Sequence, residues 1–375
     1  MMSHKLRLGV IFGGRSGEHE VSLMSARSIL AALDRDRYQV LQIGITHSGD
    51  WLVGEDVLGA LERGQAQRLS SATILPIPAY SGLYRFQAGE LGLLLERLSE
   101  LDVVFPVLHG TFGEDGTLQG LLELAGLPYV GAGVLASSVG MDKGLFKSVM
   151  VANQIPVVEW IIVLRSQIES DMPSVIRQAE ALADYPLFVK PANLGSSVGI
   201  SKCRSRSDLV EGLMEAARYD RRVVVERGIS AREIEVSVLG NQSPQASLPG
   251  EIIPSREFYS YEAKYLDGNS ELLIPAPLTP QQSETVRDLA LRAYQAVDCA
   301  GMARVDFLMD KQTGALYLGE INTIPGFTRI SMYPKLWEVS GLPYPALLDR
   351  LIALALERKA ENDRSERKYG SVMQS

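Results

Sequence analysis

The sequence predicts an α/β protein that begins with a doubly wound parallel-sheet domain and continues as a two-lobed α+β module. Three observations carry that expectation. An apolar run, Leu6 to Phe12, gives way to Gly13-Gly14-Arg15-Ser16-Gly17-Glu18-His19-Glu20 and then to a helical pattern through Leu33, which is the strand, glycine turn and helix of an opening βα unit. A second glycine stretch, Gly195-Ser196-Ser197-Val198-Gly199, joins two strand-like segments instead of opening a helix. Ala303 to Met309 and Ala315 to Ile321 flank the polar loop Asp310-Lys-Gln-Thr-Gly314 as a β-hairpin. The expected boundaries are 1–131 for the first domain, 132–225 for a central lobe and 226–375 for a C-terminal lobe.

Composition narrows the function classes. The 375 residues, 46% of them apolar and 34 of them glycine, suffice for a core divided among two or three domains. A net charge of −8 and a pI near 5.3, with no block of Lys and Arg, argue against a nucleic-acid partner and for small substrates. Nothing resembles an apolar span of about 20 residues, and the first apolar run meets Gly-Gly-Arg before it reaches signal-peptide length. No membrane association and a cytoplasmic location are therefore expected. Cys203 and Cys299 are far apart and in no ligand spacing, so both read as core residues.

In the first domain, the glycine turn lacks the G-x-G-x-x-G spacing, and carboxylates stand where a pyrophosphate needs bare amides, which argues against NAD. Glu18 and Glu20 either complement the helix dipole or bind a substrate ammonium group. Tyr38 to Thr46 is the second strand. Residues 47–100 carry no readable motif and are expected to hold weak strands and a helix from Leu91 to Leu98. Leu101 to His109 is a buried strand, followed by a glycine-rich turn and a helix from Thr117 to Ala125. Ligands of such sheets gather beyond the carboxyl ends of the strands, and His109 lies at that edge.

The central lobe starts with a mostly helical stretch, Leu135 to Gln154, carrying Lys143, and continues with strands Trp160 to Leu164 and Leu187 to Lys190 and a helix from Ser174 to Ala183. A Walker loop would place its lysine after the glycines, at a helix start; here Lys190 precedes them and Ile200 to Cys203 returns as a strand. Gly195 and Gly199 permit unusual dihedrals, so the loop reads as a phosphate flap, with Ser196 and Ser197 supplying amides and hydroxyls. After a helix from Asp208 to Arg218, Glu226 and Glu233 flank Arg227-Gly-Ile229-Ser230, either as a solvated turn or as an adenosine clamp. Glu257 to Ser270, rich in tyrosine and including Lys264 and Tyr265, fits a lid. Thr279-Pro280-Gln281-Gln282 is a capping box opening a packing helix with Val286, Leu289, Ala293 and Val297 on one side. A last helix spans Ala346 to Glu357.

The hairpin concentrates the chemistry. Pairing Met309 with Ala315 sets Arg304 across from Glu320, and strand alternation puts Arg304, Asp306, Glu320 and Asn322 on one face, with Val305, Phe307, Tyr317 and Ile321 on the other. Asp306, Glu320 and Asn322 offer only hard oxygen ligands, which suit Mg²⁺ or Mn²⁺. The hairpin alone does not separate a metal site from a solvated face with one Arg–Glu pair. Three lysines, a glycine flap and this face together form a set suited to a nucleotide triphosphate.

As an ordered set, GGRSGEHEVS (13–22), HGTFGEDGTLQG (109–120), MDK (141–143), VKPANLGSSVGI (189–200), YEAKY (261–265), RVD (304–306) and GEINTIPGFT (319–328) resemble the D-alanine:D-alanine ligase family of the ATP-grasp superfamily, over nearly the whole chain. The resemblance implies that ATP phosphorylates one D-alanine and that a second attacks the acyl phosphate, giving D-alanyl-D-alanine for peptidoglycan precursors. It further implies two ions, Mg²⁺ or Mn²⁺, on Asp306, Glu320 and Asn322; phosphate contacts from Lys143, Lys190, Ser196 and Ser197; and Glu226, Ile229 and Glu233 around the adenosine. Glu18 would bind the first substrate's ammonium group, linked to Ser196 and Tyr265, with His109 also at the substrate. Lys264 would reach the transferred phosphoryl group, Arg304 and the Gly326 amide would hold the oxyanion, and Ser331 with the Met332 amide would receive the second carboxylate. A homodimer through the N-terminal domain is also implied. Another ATP-grasp ligase, or a nucleotide sensor without turnover, are the competing readings.

Overall fold

The computed structural model describes residues 5–90, 92–253, 271–328 and 330–366; Lys264 and Tyr265, with the whole of the expected lid, lie outside them. The first sheet is built from β1 (Leu6–Gly13), β2 (Tyr38–Ile45), β3 (Trp51–Val53), β4 (Ser70–Ile74), β5 (Leu83–Gly89), β6 (Gly92–Ser99) and β7 (Val103–Val107), in the order β6-β5-β4-β3-β2-β1-β7. Its parallel part is β2-β1-β7, and β3 to β6 extend it as an antiparallel meander. Strand alternation sends Leu8, Val10 and Phe12 to the face covered by α1 (His19–Ala32) and α2 (Val57–Glu62). Ile11 goes to the other face, against Leu118 and Leu122 of α3 (Thr117–Leu124). From Leu8 onward β1, and all of β7, are thus buried on both sides, as their apolar runs require, while β2, interrupted by Gln39 and Gln42, is only partly buried.

Residues 92–98 do not form the expected helix. Gly92 to Ser99 pairs antiparallel with β5, with Gly89 opposite Gly92. Gly92 has φ +138°, a conformation that a side chain resists, and the tight turn it permits commits the segment to pairing. The neighbouring strand overrides the helix propensity of the leucines.

The middle of the chain starts with α4 (Val134–Met141) and α5 (Lys143–Ala152), split at Asp142, whose carboxylate caps α5 by accepting the Leu145 N–H at 2.8 Å. The second sheet follows: β8 (Trp160–Leu164), α6 (Arg165–Ser170), α7 (Met172–Leu182), β9 (Leu187–Pro191), β10 (Ser201–Cys203), α8 (Arg206–Tyr219) and β11 (Arg222–Arg227), with strand order β10-β9-β11-β8. Leu187, Val189, Val223 and Val225 bury one face of it against α7 and α8.

The third sheet comprises β12 (Ala231–Gly240), β13 (Gln245–Ala246), β14 (Gly250–Ile253), β15 (Glu271–Leu273), β16 (Gly301–Asp310) and β17 (Leu316–Asn322), with β16 between β12 and β17. One face packs on α9 (Pro280–Ala296), where Val286, Leu289 and Ala293 are buried as expected. The capping box is present: the Thr279 hydroxyl accepts the Gln282 N–H at 3.2 Å, and the Gln282 carbonyl oxygen accepts the Thr279 N–H at 3.0 Å.

The β16–β17 hairpin keeps the expected face but not the expected register. Arg304 pairs with Asn322 and Asp306 with Glu320, whereas Phe307 pairs with Leu318. Gly319 is the extra residue of a bulge between these pairs, so side-chain parity changes across it. Leu318, not Tyr317, joins Val305, Phe307 and Ile321 in the core. Tyr317 lies instead under the Arg227 guanidinium, 5.6 Å from its carbon to the ring centre.

Residues 323–328 leave β17 and reach α10 (Met332–Val339) and α11 (Tyr344–Asn362). Phe327 anchors this turn. Fully buried, it meets Phe105 edge-on at 5.9 Å and Tyr333 at 5.5 Å, joining the first sheet to the last helices. Among the described residues no single helix is long and apolar enough to cross a membrane. Phe327→Ala is expected to destabilise the chain by about 3–5 kcal/mol, measured by urea unfolding; a loss well below about 1 kcal/mol would deny the turn its anchor.

Candidate functional site

A cavity of about 450 Å³ opens where the three sheets meet, and its walls carry Glu18, His109, Lys143, Ser196, Arg304, Glu320, Asn322, Gly326, Ser331 and Met332. The sequence-predicted residues Asp306, Lys190, Ser197, Glu226, Ile229 and Glu233 do not line it. Lys190 and Glu226 lie on adjacent strands of the second sheet, and Glu233 is on β12, opposite Leu308. Ile229 is in the connection between β11 and β12.

Glu18 precedes the first turn of α1 and is buried; its carboxylate accepts the Ser196 hydroxyl of the flap. The flap approaches this group closely. A Cβ on Gly195 would lie 2.6 Å from Glu18 Oε2 and would displace that carboxylate, while the positive φ expected of Gly195 falls instead on Ser196 (+50°) and Ser197 (+59°). Gly199 does have positive φ, +70°.

His109 uses both ring nitrogens within the protein. Its Nδ1–H donates to the Ile324 carbonyl at 3.0 Å, since a carbonyl only accepts, which leaves Nε2 to accept from the Ser25 hydroxyl at 3.2 Å. Ser25 Oγ in turn accepts the Phe327 N–H at 3.2 Å. Burial lowers the His109 pKa, keeping the ring neutral, and this chain fixes the turn that carries Gly326.

Charge is concentrated on two buried frames. In one, Glu226 accepts from Lys190 at 2.7 Å and pairs with Lys147 at 3.2 Å. Burial pushes the Glu226 carboxyl up, but the two ammonium groups outweigh it and hold it at about 2. Burial lowers Lys147; for Lys190, Glu226 outweighs burial, with Glu320 and Glu233 adding to it, and the pKa rises. In the other frame, Arg304 donates to Asp306 at 2.8 and 2.6 Å and pairs with Glu235 at 2.9 Å. Those carboxylates raise the buried guanidinium's pKa against desolvation. Asn322 donates its amide Nδ2 to Asp306 at 2.9 Å, leaving its carbonyl oxygen as an acceptor. Asp306, Glu320 and Asn322 form an oxygen-only donor set that fits a hard divalent cation.

The far wall is a helix terminus. Ser331 precedes the first residue of α10, and its hydroxyl accepts the Thr328 N–H at 3.0 Å. A Cβ on Gly326 would lie 2.8 Å from that hydroxyl and would push it off the Thr328 N–H. Unsatisfied N–H groups at such a terminus suit a carboxylate. Lys143, at the start of α5, donates to the flap carbonyl of Leu194 at 2.7 Å.

Sequence reasoning missed Lys147, Glu235 and Glu114. The first two left a signal, Lys143 and Lys147 sharing a helix face and Glu233 and Glu235 sharing a strand face. Glu114 left none, because it sits in a glycine-rich turn that reads as solvated. It is buried instead, its carboxylate accepting the Gly110 N–H at 2.8 Å, and burial with the nearby Glu18 charge lifts its pKa to about 8.

Models of two protein families match the chain: "D-ala D-ala ligase N-terminus" at residues 7–132 and "D-ala D-ala ligase C-terminus" at residues 149–353. The D-alanine–D-alanine ligase of Thermoanaerobacter sp. (strain X514) is 53% identical over 362 residues, 96% of this chain and 99% of that protein. Among solved structures, the D-alanine-D-alanine ligase from Coxiella burnetii is 39% identical with a TM-score of 0.79, covering 96% of this chain and 97% of that one. The VanG D-Ala:D-Ser ligase from Enterococcus faecalis is 32% identical with a TM-score of 0.82, covering 94% and 100%.

Glu114 holds its proton more tightly in the folded chain than its ordinary value of 4.5 allows in the unfolded one, so its contribution to stability falls as pH rises from about 4.5 and is lost above about 8. Glu114→Gln should remove that component from a plot of Tm against pH; an unchanged slope would contradict the shift.

Proposed function

The chain belongs to the D-alanine–D-alanine ligase family, and on that premise we propose that it joins two molecules of D-alanine at the expense of ATP, for peptidoglycan precursor synthesis in the cytoplasm. A carboxylate is a poor electrophile because loss of oxide is prohibitive. Transfer of the γ-phosphoryl group to a carboxylate oxygen of the first D-alanine gives an acyl phosphate and ADP. The amine of the second D-alanine then attacks the acyl carbon, the C–O bond to phosphate breaks, and the amine proton is released as the amide forms. The observation that carries this reading is the meeting in one cavity of an anionic group, Glu18, the Arg304 guanidinium and a helix N-terminus.

In this reading Glu18 binds the ammonium group of the first D-alanine, and its hydrogen bond to Ser196 links substrate to flap. Arg304 and the Gly326 N–H hold the oxyanion that develops at the acyl carbon, Arg304 kept in place by Glu235 and Asp306. Ser331 and the Met332 N–H receive the second carboxylate, where the α10 dipole favours negative charge. Lys143, Lys190, Ser196 and Ser197 take the phosphates, Glu226, Ile229 and Glu233 the adenosine, and Lys264 and Tyr265 complete the closed site. His109 acts by fixing the turn at residues 324–327. Asp306, Glu320 and Asn322 would hold Mg²⁺ or Mn²⁺, which supplies charge neutralisation for the phosphates when bound. The reading keeps the domain limits 1–131, 132–225 and 226–375, and pairing of two copies through the first domain, where β6 turns Leu93 and Leu94 to solvent.

Phosphate release dependent on D-alanine, with the dipeptide identified by mass spectrometry in mixtures of D-alanine and D-serine, tests the reaction and its second substrate. Glu320→Ala is expected to abolish phosphate release with circular dichroism unchanged, and Asp306→Ala to abolish it while also lowering Tm, because it leaves Arg304 with one carboxylate fewer; normal turnover in either would remove the metal assignment.

A further inference from the structure

A second group of ligand-type side chains lies outside the lining of the cavity. His19 and Glu20 open α1, and His47 occupies the turn between β2 and β3. One ligand atom from each lies within 4.8 Å of the others. The His19 and His47 rings stack with centres 3.8 Å apart, and His47 Nε2 is 3.7 Å from Glu20 Oε1.

Two features distinguish this group from a chance surface cluster. Buried His19 brings its Nδ1 within 2.9 Å of the Gly14 carbonyl; a carbonyl only accepts, so Nδ1 carries the proton and Nε2 keeps its lone pair in the neutral ring. Donation of one ring N–H to a backbone carbonyl is the arrangement that orients a metal-ligating histidine and sets its tautomer. The backbone carrying His47 is also held, by a compact turn in which the Thr46 N–H donates to Asp50 O and the Gly49 N–H to Thr46 O, both at 3.0 Å, and the Ser48 hydroxyl donates to the Asp50 carboxylate at 2.6 Å. With metal–ligand distances of about 2.0–2.1 Å, tetrahedral ligand atoms lie about 3.4 Å apart. The exposed His47 and Glu20 side chains therefore need to close by somewhat more than about 1 Å, and the His47 ring has to turn out of its stack on His19, because lone pairs in two nearly parallel rings do not converge on one ion.

We propose that His19, Glu20 and His47 bind a borderline transition-metal ion, of the class of Zn²⁺, Ni²⁺ or Cu²⁺, at a site separate from the oxygen face of Asp306, Glu320 and Asn322. Two imidazoles and one carboxylate favour these ions over Mg²⁺, and the remaining position is open to water. The helix dipole opposes a cation at the start of α1, and the Glu20 charge offsets it. An ion there ties the β2–β3 turn to α1 and braces the glycine turn from which Glu18 projects.

The test uses the full-length, tag-free chain, stripped with chelator and titrated with Co²⁺ in excess Mg²⁺, so that Mg²⁺ occupies the oxygen ligands. Expected is a visible d–d absorption that saturates at one ion per chain and disappears on adding Zn²⁺, with apparent affinity reduced by about tenfold or more in His47→Ala and in Glu20→Gln. Without added transition metal, His47→Ala should keep the wild-type Tm and Mg²⁺-supported ligase activity. A spectrum in wild type no different from aqueous Co²⁺, or binding undiminished in His47→Ala, overturns the site.

Discussion

The pairing of Arg304 with Glu235 and Asp306 is the constraint on which the active region depends. A guanidinium whose side chain is only 16% exposed is tolerable only with compensating carboxylates in good geometry. Both come from the third sheet, Asp306 from the same strand and Glu235 from its neighbour, directly opposite Asp306. The other side of these strands is core, so the register cannot slip by one residue without driving Val305 and Phe307 towards the charges. The apolar face therefore fixes the polar one.

Around that frame, the cavity is assembled by hydrogen bonds spanning long stretches of sequence. Ser25, His109 and Phe327 form one such chain, and Glu18 with Ser196 another. The second joins segments whose sheets have separate apolar cores, and the first runs beside a core that the first sheet shares with Phe327 and the last helices, so the cores supply stability and the polar links set how the turns meet. The Lys147–Glu226–Lys190 frame does similar work within one lobe: two ammonium groups keep a buried carboxylate ionised and fixed in place.

Much of this was legible in the sequence because period and punctuation agree. The apolar runs at Leu6 and Leu101, broken only by Arg7 and Asp102, the capping box at Thr279 and the alternation through Arg304 and Asp306 each need one physical rule, and each appears in the fold. What escaped depends on contacts remote in sequence. The Leu91–Leu98 segment has helix-forming leucines but is claimed by its neighbour strand. The bulge at Gly319, which moves Tyr317 out of the core and Leu318 in, has no period-2 signature. Glu114 looks like a solvated turn acid until the turn folds it under the Ile324 segment. The register error left the Asp306–Glu320–Asn322 face intact, because the shift at those pairs is an even number of residues.

The central claim is that ATP activates a carboxyl group by making it an acyl phosphate. Incubating the chain with ATP and D-alanine labelled with oxygen-18 in its carboxylate, then analysing the released phosphate by mass spectrometry, tests it most directly. One labelled oxygen should pass from the amino acid to phosphate for each dipeptide formed, because the bond that breaks is between the acyl carbon and the bridging oxygen. Dipeptide formed with unlabelled phosphate would contradict the account.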